Sequence, residues 1–317
     1  MAIEATELMQ QFEEASWELH TIRDFIRFAV STLNTAEVHL GHGSDDPFEE
    51  ATAIVMYNLN MHWDADPEIL DARLLSFEKK AILEMLKQRV FERKPVGYLT
   101  HIAYFCDLPF YVDERVLIPR SPIAELIQRR FDDYLQDDPE SILDLCTGSG
   151  CIAIALAEVY PNAVIDAVDL SEDALEVAAV NVETHEVEHQ VMLIRSNLFE
   201  QIEDQMYDLI VCNPPYVSSG SMADLPEEYG FEPEMALEAG RDGLVLVRRI
   251  LAEAGNHLNE AGILILEVGE SRWNLEQEYR EIDFNWLEFE CDAEGVLVLT
   301  QQELLEYRPI FEQRRVG

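Results

Sequence analysis

A chain of 317 residues, 48% of them hydrophobic, has the length and core for one large domain with a smaller one beside it. It has no apolar run of about 18 residues to span a membrane, and its start, MAIEATELMQ, lacks the basic region and apolar block of a secretion signal, so a cytoplasmic protein is expected. The 63 acidic residues against 22 Lys plus Arg give a net charge of −41, which repels a phosphate backbone and suits a basic protein partner. A lysine-poor, acidic surface also suits high internal salt, and charge alone does not separate the two readings.

Residues 5 to 93 read as helical. Leu8, Phe12, Ala15, Leu19, Ile22, Ile26, Ala29 and Leu33 recur at steps of three and four, the stripe of an amphipathic helix. Gly41 to Pro47 breaks the pattern. A second helix is expected to about Trp63, and a third from Asp66-Pro67, where proline suits a first turn, to about Arg93. His39 and His42 sit close in this break and are read as part of a solvated polar loop. No metal is expected. The five cysteines, Cys106, Cys146, Cys151, Cys212 and Cys291, are odd in number and form no CxxC pair, as expected of reduced thiols.

After Pro95 the period changes. Aromatic and β-branched residues from Val96 to Pro119, with turns at Asp107 to Pro109 and Asp113 to Arg115, predict a β-hairpin connector. This gives a helical domain at 1–94, a connector at 95–119 and a larger domain at 120–317.

From residue 120 strands and helices alternate. Strands are expected at Ile142–Cys146, Val164–Asp169, Val191–Arg195, Tyr207–Cys212 and Ile263–Val268. Helices are expected at Ile152–Tyr160, Glu172–Thr184, Gly243–Leu258 and Trp273–Tyr279. Strands at Trp286–Phe289 and Val296–Leu299 close the pattern as an antiparallel edge hairpin, and no element is placed beyond them. Such alternation specifies an α/β fold with a mostly parallel sheet covered on both faces.

Three motifs carry chemistry. Asp144-Leu145-Cys146-Thr147-Gly148-Ser149-Gly150 sits at a strand-to-helix turn, where glycine lets backbone turn tightly and approach a ligand. Gly148-x-Gly150 also fits a dinucleotide fingerprint, and a tight turn without a ligand is a further reading. Asp169, followed by Leu170, ends the next strand, where its carboxylate can accept from both hydroxyls of a ribose. It could equally serve the start of the following helix near Ser171. Nicotinamide cofactors and S-adenosylmethionine both carry that ribose, so the ligand narrows to a nucleoside.

The third motif is Asn213-Pro214-Pro215-Tyr216, after a central strand. The prolines fix the backbone and offer no N–H, so the Asn213 side-chain oxygen and the Pro214 carbonyl form a pocket of acceptors. An amide or aromatic NH2 offers two donors in one plane, which two acceptors bind and align with an electrophile. Tyr216 can pack on the flat group. Asn213, Pro214 and Tyr216 are therefore the candidate catalytic residues, and a rigid turn is the plainer alternative. An amide nitrogen is a poor nucleophile and no Ser–His or Cys–His pair stands by to activate it, which favours the sulfonium of S-adenosylmethionine as methyl donor.

DLCTGSG, VDLS (Val168 to Ser171), SNLF (Ser196 to Phe199) and NPPY together resemble the class I methyltransferases that modify glutamine in proteins, the HemK/PrmC/PrmB group. PVGYLT at Pro95, VLIPR at Val116 and EPEMALEAGRDGL at Glu232 extend the resemblance over roughly residues 90 to 300. PRSP (Pro119 to Pro122) and CTGSGCIA (Cys146 to Ala153) resemble the PrmB branch, which acts on the third protein of the large ribosomal subunit. Release-factor enzymes more often show PRPETE and GTGTG there. The resemblance implies a Rossmann-like catalytic domain, a helical N-terminal domain that recognises the protein substrate, and a glutamine held by NPPY. It implies that Asp144, Cys146, Thr147, Gly148, Ser149 and Gly150 hold the methionine part of S-adenosylmethionine, Asp169 and Leu170 its ribose, and Asn197 and Leu198 its adenine. Asn197 stands where the group commonly has Asp. Phe231 stands where PrmB sequences tend to have His and is assigned no role. Glu232 is a candidate substrate-pocket residue or a solvated loop acid. The alternatives are a release-factor substrate and an adenine-amino methyltransferase, which also uses NPPY around a flipped base; the acidic balance weighs against the latter.

Overall fold

The stripe from Leu8 to Leu33 folds as two helices, α1 (Ala5–Glu18) and α2 (Ile22–Thr35), not one, in the computed structural model, which describes residues 5–290 and 293–315. Cys291 lies outside those residues. Thr21 and Asp24 make the break. The Thr21 hydroxyl accepts from the Asp24 amide at 3.2 Å, and the Asp24 carboxylate accepts from the Thr21 amide at 2.9 Å. This reciprocal cap satisfies donors that a helix start leaves bare. The chain on either side then pairs with an extended segment, Leu74 N donating to His20 O at 2.8 Å and Ile22 N to Ala72 O at 3.2 Å.

Helix α3 (Pro47–Asn58), capped by Asp46, starts on the last residue of the expected break and stops short of Trp63. The helix expected from Asp66 to Arg93 is also divided. A single 3-10 turn at Pro67–Asp71 precedes the extended segment at Ala72–Leu74, and α4 (Ser76–Phe91) follows, then the short α5 (Val96–Thr100). These helices bury Phe12, Phe25, Ala29, Ile54, Ile82 and Leu86 in one core. Each large apolar side chain so buried contributes about 1.5–3 kcal/mol.

The chain divides into two compact units. The helical unit runs to Ile102 and also takes in Pro226–Phe231; the larger comprises Ala103–Leu225 and everything from Glu232. Within the helical unit Arg89 is buried, its Nε donating to Glu50 at 2.6 Å and its Nη1 to Glu228 at 3.2 Å. The loop expected to be solvated instead sets the His39 and His42 rings 5.6 and 4.6 Å from the Tyr229 ring.

Strands β1 (Ile102–Phe105) and β2 (Leu108–Tyr111) form the expected hairpin. Its turn is Cys106-Asp107, with φ of 50° and 63°, the two left-handed residues that match a hairpin's twist. A short helix that the sequence did not reveal, α6 (Ile123–Gln128), follows. The main sheet then builds from β3 (Ser141–Leu145), α7 (Cys151–Val159), β4 (Val164–Asp169), α8 (Glu172–Thr184), β5 (Val191–Arg195) and β6 (Tyr207–Cys212). After these come α9 (Val245–Glu253), β7 (Leu258–Glu267), α10 (Arg272–Glu278), β8 (Asn285–Trp286) and β9 (Val296–Thr300). The order is β5-β4-β3-β6-β7-β9-β8, parallel except for β9, which runs antiparallel to both β7 and β8. This is a Rossmann-like sheet.

Alternation along each strand divides the core between two faces. Ile142, Ile165 and Leu209 pack with α6 and α7 on one side; Leu143, Val168 and Ile210 pack with α9 on the other. The C-terminal helix α11 (Gln301–Arg314) joins the second face through Leu304 and Phe311. Its start carries a legible signal, Thr300 and Glu303 as a capping box, that the sequence reading passed over.

Candidate active site

The order of strands reverses at β3, with β4 on one side and β6 on the other. Ligands of open α/β sheets bind in the crevice at the carboxyl ends of such strands. A cavity lies there, lined by Cys146, Thr147, Gly148 and Ser149 after β3, Asp169 and Leu170 after β4, Asn197 and Leu198 after β5, and Asn213 and Pro215 after β6. Arg115, Arg120 and Ser121 line it from the segment before α6.

The glycine turn is built for close approach. Gly148 has φ +55° and nothing within 4 Å of where a Cβ would stand, an open cradle that a side chain would fill. Gly150 has φ +80° and a Cβ there would meet Ala178 at 3.3 Å, so it serves the contact between α7 and α8, not the cavity. Asp144 is likewise behind the turn. Its Oδ2 accepts from the Thr147 hydroxyl and the Ala153 amide, while Oδ1 is buried without a partner. Burial pushes its carboxyl up to about 7.

Asp169 Oδ2 accepts from the Gly148 amide and Oδ1 from the Ser171 amide, each at 2.9 Å. Asp169 therefore braces the glycine turn and the approach to α8, as its second reading expected, and it stands on the cavity wall. Burial raises its carboxyl above the usual range. Leu170 is 52% exposed. The Asn197 oxygen, expected to accept from adenine, already accepts from Arg249 at 2.8 Å, and its amide donates to Glu200 at 2.7 Å. Leu198 is buried with φ 55°. The cradle, the acid on the wall and the apolar Ile152, Leu198 and Leu246 fit a nucleoside whose tail enters the glycine turn, as S-adenosylmethionine requires.

The four residues of the Asn-Pro-Pro-Tyr turn divide. Among the described residues none hydrogen-bonds the Asn213 side chain. Pro214 is buried, and neither it nor Tyr216 lines the cavity, although Asn213 and Pro215 do. The Tyr216 ring lies so close to Gly269 that a Cβ there would stand 2.5 Å from it. Its hydroxyl donates to Glu267 at 3.2 Å, and its carbonyl accepts from Ser271 Oγ at 2.7 Å.

Glu232 requires a correction. It is neither a pocket residue nor a solvated acid. Its side chain is 0% exposed, and its oxygens accept from both terminal nitrogens of Arg120, each at 2.6 Å, and from the Ile118 amide at 3.1 Å. It clamps the segment that carries Arg120 and Ser121. Residues that the sequence reading missed are Arg120, Ser121, Asn181, which bonds to both Tyr111 and Ser149, and Glu267. Glu267 ends an apolar strand just as Asp169 does, and that signal could have found it. Among the described residues no cluster of three His, Cys, Asp or Glu could hold a metal, and no helix is long and apolar enough to cross a membrane.

The methyltransferase small domain family matches residues 126–226. A ribosomal protein uL3 glutamine methyltransferase of Francisella tularensis is 46% identical over 93% of this chain and 95% of its own. That of Neisseria gonorrhoeae is 47% identical over 93% and 99%. A methyltransferase of known structure from Pyrococcus furiosus is 18% identical with a TM-score of 0.44, covering 61% of this chain and 88% of that one, a likeness that bears on no functional argument. Methyltransferases of this family use S-adenosylmethionine. With close to half its residues shared along nearly the full length of both relatives, the chain belongs to the ribosomal protein uL3 glutamine methyltransferase family.

Proposed function

We propose that this chain methylates the side-chain amide nitrogen of a glutamine in ribosomal protein uL3, in the cytoplasm. The observation that carries the reading is the placement of the Asn213 side chain, unclaimed by other described residues, on the wall of a nucleoside-shaped cavity, in a chain so similar to enzymes named for that reaction.

Bound in the cavity, S-adenosylmethionine supplies a methyl group on a sulfonium, an electrophile with a good leaving group. Asn213 Oδ1, on the cavity wall, accepts an amide hydrogen and so orients the nitrogen lone pair. As the new bond forms, positive charge grows on nitrogen, and this oxygen dipole stabilises it. The amide proton leaves afterwards to solvent, so no strong base is needed. Asp169 accepts from the ribose hydroxyls, Asn197 and Leu198 flank the adenine, and the helical domain recognises the protein. The net charge of −41 supports a basic partner and weighs against a nucleic-acid substrate.

The test is transfer of radiolabelled methyl from S-adenosylmethionine to purified uL3, with release factors and RNA assayed in parallel and the site mapped by mass spectrometry. Label on one glutamine of uL3 is expected. Label only on a release factor, or on an adenine, would overturn the reading.

A further inference from the structure

Glu267 is the last residue of β7, and it is 3% exposed beside Leu266, which pairs with Cys212 at the strand end leading into Asn213. The preceding Ile263, Leu264, Ile265 and Leu266 are all buried and apolar. A carboxyl group in such surroundings is unfavourable unless it is fully partnered. Its partners are two hydroxyls, one on a residue of the cavity wall and one on the Asn-Pro-Pro-Tyr turn. Oε2 accepts from Ser121 Oγ at 2.5 Å, and Oε1 accepts from the Tyr216 hydroxyl at 3.2 Å. Ser121 lines the cavity; Tyr216 closes the Asn-Pro-Pro-Tyr turn. The Tyr216 ring rests on Gly269 and its backbone carbonyl accepts from Ser271, so the Glu267 bond adds a hold at the far end of the same residue.

We propose that Glu267 is a positioning residue for methyl transfer, acting through Tyr216 to keep the Asn213–Tyr216 turn in register with the cofactor-lining segment at Ser121. The proposal rests on the function given above. Burial pushes the Glu267 carboxyl up to about 7, against the Ser121 and Tyr216 hydroxyls and then Arg120, all of which favour its charged form. A turn held to within a fraction of an ångström matters because in-line transfer is sensitive to small misplacement of the nitrogen.

The test compares Glu267→Leu, which removes both acceptors, with Glu267→Gln, which retains one carbonyl acceptor and the shape. Cofactor affinity by calorimetry should stay within about threefold, while kcat on uL3 falls on the order of 100-fold for Leu and clearly less for Gln. Each variant is repeated in a Tyr216→Phe background. There Glu267→Leu should change kcat by less than about threefold, because the route through the hydroxyl is already gone. Equal losses in both backgrounds, or undiminished turnover, would overturn the proposal. A measurement independent of substrate uses protein carrying carbon-13 at tyrosine Cζ, with the Tyr216 signal assigned by its loss in Tyr216→Phe. Glu267→Gln should shift that signal, and an unmoved signal overturns the proposal even if Glu267→Leu fails to fold. Should wild-type protein leave uL3 unlabelled while the signal shifts, the assigned substrate falls and the Glu267–Tyr216 coupling is upheld.

Discussion

Glu232→Ala is the most revealing perturbation, because it removes a buried acid that serves three donors. The Glu232 side chain is fully enclosed, whereas Arg120 is 21% exposed. Breaking a buried ion pair by deleting one partner costs about 3–5 kcal/mol when the other charge stays buried. Arg120 can turn part of its guanidinium to water, which lowers the figure, while the Ile118 amide loses its acceptor, at about 1–3 kcal/mol. Together these place the loss at about 3 kcal/mol, or a fall of roughly 6–12 °C in melting temperature for a domain of this size. Thermal unfolding followed by circular dichroism measures it. Arg120 and Ser121 line the cavity, so cofactor affinity should drop in the same variant. Replacing both partners with methionine should recover most of the stability, since no charge is then stranded. If Glu232→Ala melts with the wild type, the Glu232–Arg120 clamp does not hold the fold.

Asn213→Ala should lower kcat by about 10²–10³-fold with cofactor affinity retained, because an acceptor aimed at the transition state is lost; unchanged turnover refutes its role. Asp169→Ala should raise the cofactor dissociation constant about tenfold or more, measured by calorimetry, since a charged acceptor is removed from the ribose, and an unaltered constant would speak against that contact. Asp144 predicts a pH effect. Its folded-state carboxyl titrates at about 7, against about 4 in the unfolded chain, so between those values only the folded state holds the proton. Its contribution to stability is full below about pH 4 and is lost as pH rises to about 7. Urea midpoints of the cofactor-free protein should decline over that window, and Asp144→Asn should flatten the decline. Glu267, raised to about 7 by the same burial, and Asp169 and Glu50, raised by burial as well, contribute what persists. A decline of the same slope in Asp144→Asn would refute the assignment.

The α/β alternation was legible because hydrophobic periodicity is a local property: β4, α8, β5 and β6 fall where apolar runs and caps place them. The N-terminal region was less so. The stripe through Leu19 continues at helical spacing across Thr21, and spacing alone does not show that Ala72 to Leu74 will arrive to pair with the backbone there. The same limit applies at the active site. DLCTGSG, Asp169 and NPPY are local motifs whose chemistry follows from residue type and backbone restriction, and the chain by itself determined the cofactor class. It did not determine what the buried acids around the cavity hold. Glu232 meets Arg120 across 112 residues and Glu267 meets Ser121 across 146, so only the packed sheet decided that one clamps a wall and the other holds Tyr216. A carboxylate's role is set by its donors and by its exclusion from water, and both are products of tertiary contact.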